Sequence, residues 1–161
     1  MQLLAIDPGN IDSAYCLMDG RANVLDKGKV SNDALLQYIW TNHAKIDHLA
    51  VEMIASYGMA VGAEVFDTCT MIGQIERTAD MKSIPRSRVF RIEEKLCICH
   101  NSRANDSNIR RALIDKYAKH DLQRGTGTKA NPDHFYGFRK DIWAAFAVGV
   151  TWLDKHRKGE T

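Results

Sequence analysis

The chain has 161 residues, a length suited to one domain with a single core, and 45% of them are apolar. No apolar run reaches membrane-spanning length, and the N-terminus carries neither a basic leader nor a signal-like apolar segment. The reading is a cytoplasmic protein whose four cysteines, Cys16, Cys69, Cys97 and Cys99, are reduced thiols. The formal net charge is only +2, but residues 1–80 hold 5 Lys/Arg against 11 Asp/Glu, a balance of −6, and residues 81–161 hold 17 against 9, a balance of +8. An asymmetry of that size favours a polyanionic partner over ordinary fluctuation of surface charge.

Residues 2–7 read as a buried strand, 13–19 as a second, and 22–30 as a third, paired to the second through the hairpin signal Asp19-Gly20. Ser31 or Asn32 is placed to cap a helix through Leu35, Leu36 and Ile39. Residues 47–54 form a fourth strand. A long helix over about 62–80 follows, with Val65, Cys69, Ile72, Ile75 and Ala79 at three-to-four spacing. A fifth strand is expected at Val89-Phe90-Arg91-Ile92, after Pro85 has ended any helix. The run Asn105-Asp106-Ser107 caps a helix from Ile109 to Tyr117. Residues 121–138, with Gly125, Gly127, Pro132 and Gly137, read as a mobile loop. The last helix, about 139–156, is apolar on most faces and has a basic tail, Lys155-His156-Arg157-Lys158. Three antiparallel strands followed by strand–helix alternation give an α/β fold: a five-stranded mixed sheet with helices on both faces.

Three acids stand out because each adjoins an apolar element. Asp7 ends the first strand in Leu3-Leu4-Ala5-Ile6-Asp7-Pro8-Gly9, Glu52 lies in the fourth strand in Leu49-Ala50-Val51-Glu52-Met53, and Asp141 opens the last helix. A carboxylate in such a setting is costly unless it is paired or bound to a metal, and three together are what a divalent-cation site needs. Gly9 would permit a tight turn beside Asp7, whether or not a phosphate lies there. Lys82, Arg86, Arg88 and Arg91 form one basic run, and Arg103, Arg110 and Arg111 a second at a helix start, where anions are favoured. Lys119, Arg124, Lys129 and Lys140 lie on or beside the loop. Each cluster reads equally as a DNA contact or as a solvated surface. Tyr57, Tyr136 and Phe138 are placed either to stack on an unpaired base or to pack on the core. The run Cys97-Ile98-Cys99-His100, read as strand-like, offers too few ligands for a structural zinc.

The order of elements, with acids on strands one and four and on the last helix, resembles the ribonuclease H-like nucleases. Ala5-Ile6-Asp7-Pro8-Gly9, Val51-Glu52, Met71-Ile72-Gly73-Gln74-Ile75-Glu76 and Asp141-Ile142-Trp143-Ala144-Ala145-Phe146-Ala147 are similar to motifs of RuvC-type Holliday junction resolvases, particularly the shorter phage versions. The resemblance implies a Mg²⁺- or Mn²⁺-dependent crossover-junction endodeoxyribonuclease with two ions per active site, acting in recombination, repair or phage genome processing. It implies that Asp7 bridges both ions, Glu52 holds the ion on the leaving-group side, and Asp141 holds the ion that activates water. It also implies a homodimer through the helix at about 62–80, and branched DNA bound by residues including Lys82, Arg86, Arg88, Arg103, Arg110, Arg111, Lys129 and Lys140. Two departures are visible. The family carries two acidic or His/acidic positions on the last helix, three residues apart, where this chain has Asp141 with Ala144 and Phe138; Asp133 or His134 would then supply a fourth ligand. The family also tends to place a lysine where Asp106 stands. Two other readings stay open, a nuclease of the same fold acting on RNA–DNA hybrids or flaps, and a catalytically degenerate junction-binding protein.

Overall fold

In the computed structural model, residues 1–157 are described; Lys158, assigned above to the basic tail of the last helix, lies outside the described residues. Strand β1 (Gln2–Asp7) pairs antiparallel with β2 (Asp12–Asp19), which pairs antiparallel with β3 (Val24–Ser31). Helix α1 (Asn32–Asn42) begins under Ser31, whose Oγ accepts the Ala34 N–H at 3.2 Å. Strand β4 (His48–Met53) then returns beside β1 in parallel. Helix α2 (Ala63–Met81) crosses back to β5 (Arg86–Phe90), parallel to β4, and α3 (Arg91–Cys99), α4 (Asp106–Tyr117) and α5 (Lys140–Arg157) complete the order. The sheet order is β3-β2-β1-β4-β5, the mixed five-stranded sheet expected.

Side-chain alternation along the strands sends two cores to opposite faces. Leu4, Ile6, Leu49 and Val51 pack with Leu35 and Ile39 of α1 and with Ile72 and Ile75 of α2. Leu3, Ala5, Cys16, Ala50 and Val89 pack on the other face with α5 and with Ile109 and Leu113 of α4. Helix α5 is buried along most of its length, as its composition required. It lies so close to the sheet that a Cβ on Gly149 would stand 2.3 Å from Met18 Cε and 3.0 Å from Ala5 Cβ.

Two readings need correction. The fifth strand starts earlier than expected and ends at Phe90; Arg91 and Ile92 already belong to α3. Cys97 and Cys99 therefore sit on a helix, not on a strand. Local side chains explain the switch. The Glu93 carboxylate accepts the Phe90 N–H at 2.7 Å, and Arg91 pairs with Glu94 at i,i+3, so the first turn is closed from within. The segment 121–138 has no helix or strand of its own, but it is organised around two anchors: Phe135, fully buried among Phe138, Trp143 and Phe146, and Asp133.

The tight seat of α5 is open to a direct measurement. Gly149→Val forces a branched side chain against Met18 and Ala5 and is expected to lower stability in urea denaturation by about 2–3 kcal/mol, the cost of overpacking a core.

Candidate active site

The sheet register itself assembles the centre. Ala5 and Ile6 of β1 lie beside Ala50 and Val51 of β4, so the next residues along, Asp7 and Glu52, emerge together at the C-terminal ends of two adjacent parallel strands. Asp7 is also paired with Ala14, and Ala14 with Lys29. Lys29, Ala14, Asp7 and Glu52 thus form one row across four strands, on the face that carries α5. Carboxyl ends of strands are where open α/β sheets bind ligands. The first turns of α3, α4 and α5 reach the same edge and bring Arg91, Asp106 and Asp141. The turn after Asp7 is fixed by Gly9, where a Cβ would fall 2.2 Å from the Asp12 carbonyl oxygen. The Asn32 side chain donates to the Gly9 carbonyl at 3.0 Å, and the Gly9 N–H donates to Ser13 Oγ at 3.1 Å.

Asp7 and Glu52 are half-buried and share a hydrogen bond. Burial first, then the Glu52 charge and that shared bond, then Asp141, push Asp7 up to about 8, against an opposing pull from Arg91. Burial also raises Glu52, opposed by its bond to Asp7 and by Arg91. Asp141 is held by an ion pair with Lys29.

The structure adds a carboxylate that the sequence reading missed. Glu94, on the first turn of α3, is fully buried. Its Oε2 accepts from Arg91 Nη1 at 2.6 Å, while Oε1 has no hydrogen-bonding partner among the described residues. Burial and the Glu52 charge lift its pKa to about 8, with Asp7 contributing and Arg91 opposing. Arg91 also pairs with Asp106 on α4. The available signal for Glu94 was helical spacing from Arg91, which the strand reading of that segment hid. Lys29 needed the β2–β3 register to be found.

Asp133 and His134, the two alternatives for a fourth ligand, have other work. The Asp133 carboxylate accepts backbone N–H groups from Lys119, His120, Asp121 and His134 at 2.7–3.1 Å. Burial alone would raise its pKa, but those donors outweigh it and hold the group well below the usual carboxylate range. His134 stacks on Tyr117 and meets Phe135 and Phe146 edge-on.

The basic residues divide by position. Arg91, Arg110 and Lys140 line a cleft of about 320 Å³ with Asp106, Trp143 and Ala144, beside the acids, and the Arg110 guanidinium lies 4.6 Å from the Trp143 ring centroid. Arg86 opens β5 at the opposite end of the sheet, paired with Asp80, and Lys82 precedes it, 3.6 Å from the Trp40 ring centroid. Arg88 is held by both oxygens of Glu76 at 2.6 and 2.8 Å. Arg111 is exposed but tied to Asp115 and to the carbonyls of Leu122 and Gln123. Arg103 and Lys129 are exposed on the α3–α4 and α4–α5 connections. Tyr57 and Tyr136 are exposed, whereas Phe138 joins the aromatic cluster under α5.

Whether a cation suits this centre can be judged from the donors. They are carboxylate oxygens, the ligands that Mg²⁺ and Mn²⁺ take. Among the described residues no three His, Cys, Asp or Glu side chains stand in metal-holding geometry; Arg91 and Lys29 neutralise the acids instead. In donor chemistry, oxygen-only with the buried Glu94 Oε1 left without a partner, the residues fit a divalent ion, while the described side chains as placed are drawn to Arg91 and Lys29 and do not form a cation cage.

The mixed sheet of this order with its helices is a ribonuclease H-like α/β fold, and Asp7 and Glu52 stand at the ends of two of its adjacent parallel strands. Within that class the chain has the RuvC-type fold. It is similar to a solved structure of Thermus thermophilus RuvC in complex with a Holliday junction substrate, at 13% sequence identity and a TM-score of 0.75, with 99% of this chain and 96% of that chain covered. A second Thermus thermophilus RuvC structure matches at 15% identity and a TM-score of 0.69 over 99% and 97% of the two chains. No protein-family model and no curated protein matches the sequence.

The raised carboxyls have a measurable consequence. In the unfolded chain Asp7 and Glu94 ionise near 3.8 and 4.5, whereas the folded chain keeps their protons to about 8. Folded protein binds more protons over that window, so its stability without divalent ions falls as pH rises through it and levels off above. Thermal melts with a chelator should show Tm falling between those limits, and Asp7→Asn should flatten the slope.

Proposed function

We propose that this chain is a divalent-metal-dependent endodeoxyribonuclease that resolves four-way or similarly branched DNA junctions. The observation that carries the reading is the meeting of Asp7, Glu52 and Asp141 at one edge of a RuvC-type sheet, with Arg91, Arg110 and Lys140 around them. The Thermus thermophilus relative in fold is a RuvC bound to a Holliday junction substrate, which supports the same substrate class here. Bound divalent ions would supply a more nucleophilic water and charge stabilisation of the leaving oxygen. Asp7, Glu52 and Asp141 would hold them. Arg110 and Lys140 would seat the phosphate backbone, helped by the N-termini of α4 and α5. The side chains that sort DNA by shape are therefore the cleft residues, and Arg111 is a structural arginine.

Paired strand cuts call for two active sites, so the working form is proposed to be a homodimer. Exposed apolar side chains support it. Phe66 on α2 and Tyr57 and Met59 just before it are 61%, 66% and 76% exposed, while Ile72 and Ile75 further along α2 serve the core. A degenerate junction-binding protein is the second reading, favoured by one observation: Lys29 and Arg91 already neutralise the acids.

Cleavage of a synthetic four-way junction in Mg²⁺ or Mn²⁺ separates the two. Symmetric nicks are expected, reduced about a thousandfold by Asp7→Asn, the several kcal/mol of cation stabilisation lost. Tight junction binding without cutting would establish the binding protein, and cutting of RNA–DNA hybrids alone would redirect the substrate. Binding measured against salt gives an independent check. Arg110→Ala should lower the slope of log affinity against log salt by about one contact, and Arg111→Ala should leave that slope unchanged while costing about 1 kcal/mol of stability.

A further inference from the structure

Resting on the nuclease reading above, we propose that Glu94, supplied by α3, is a further carboxylate of the cation centre beside Asp7, Glu52 and Asp141, and that Arg91 holds its place until cations bind. Three observations lead there. Glu94 is fully buried, and one of its oxygens has no hydrogen-bonding partner among the described residues. A buried carboxylate oxygen in that state is costly, and a ligand at the site would remove the cost. The helix does not need Glu94 for capping, because its neighbour Glu93 takes the Phe90 N–H and pairs with Lys155. Glu94 also feels the charges of Glu52 and Asp7 beside that of Arg91, so it lies within electrostatic reach of the strand-borne acids.

Arg91 is built to let go. Its guanidinium reaches Glu94 through Nη1 and Asp106 through Nη2, and Asp106 is 84% exposed on the first turn of α4. Released from Glu94, Arg91 keeps an acceptor at the mouth of the cleft, where an incoming phosphate would also meet it. Asp106 would then hold the displaced arginine. Glu94, Asp7, Glu52 and Asp141 make four acids drawn from α3, β1, β4 and α5, and oxygen-only donors suit Mg²⁺ or Mn²⁺.

The experiment is Mn²⁺ titration of the full chain by calorimetry, with the Mn²⁺-induced rise in Tm as a second readout. Compared are the unmodified protein, Glu94→Gln, Asp106→Asn and Asp7→Asn. Glu94→Gln is expected to weaken Mn²⁺ binding by at least about tenfold and to shrink the Mn²⁺-induced Tm rise, each read against that variant's own melt in chelator. Asp106→Asn should leave Mn²⁺ affinity within about twofold, because Asp106 acts on Arg91 and not on the ion. Glu94→Asp keeps the charge and withdraws the oxygens by one methylene; if Glu94→Gln does not fold, weakened Mn²⁺ binding by folded Glu94→Asp supports the assignment. Unchanged Mn²⁺ affinity in a folded Glu94 variant, alongside lost binding in Asp7→Asn, overturns the role of Glu94 and leaves the nuclease reading intact. Absence of Mn²⁺ binding by the unmodified protein overturns both.

Discussion

Like charges held together at the end of a sheet are the constraint around which this molecule is organised. Asp7 and Glu52 are neighbours because β1 and β4 run parallel in a fixed register, and a one-residue slip would send each to the opposite face. Glu94 is added from a helix that begins as soon as β5 ends. The apolar packing on both faces, Leu4, Ile6 and Val51 on one and Ala5, Ala50 and α5 on the other, supplies the stability that tolerates three acids in one place. Arg91 and Lys29 then offset part of the repulsion from either side.

The lopsided charge of the sequence becomes a layered arrangement in space. The acidic half of the chain contributes Asp7 and Glu52; the basic half contributes Arg91, Arg110 and Lys140 around them. Three helices start at this edge, so their partial positive ends add to the attraction for phosphate. Charge count alone could not separate these residues from Arg86, Arg88 and Arg111, which serve ion pairs and carbonyl contacts elsewhere.

Much of this was legible in the residues, and the parts that were not share a cause. Asp7 and Glu52 stood out because strands announce themselves by short apolar runs, and an acid at the end of one is conspicuous. Helix α5 was legible from its uninterrupted apolar faces. Glu94 was hidden because a segment holding Val89, Phe90, Ile92 and Ile98 reads as extended, and the decisive local contact, the Glu93 carboxylate on the Phe90 N–H, appears only once the chain has turned. Lys29 depends on hairpin register, a non-local property. Asp133 looked like a spare ligand because a loop acid carries no sign of its partners; four backbone donors from Lys119 to His134 claimed it.

On the proposed metal-dependent reading, Lys29 and Arg91 are placeholders for cations, and their surroundings suit that role. A permanent replacement would be buried and without an alternative partner, since a displaced buried charge is strongly unfavourable. Lys29 has 49% of its side chain exposed, so leaving Asp141 returns its ammonium to water. Arg91 keeps Asp106 when it leaves Glu94. Neither departure strands a cation, and of the two acids left behind Asp141 is a third exposed while Glu94 is fully buried. The buried member of the set is therefore Glu94, the acid whose release from Arg91 would leave it most in need of a new partner.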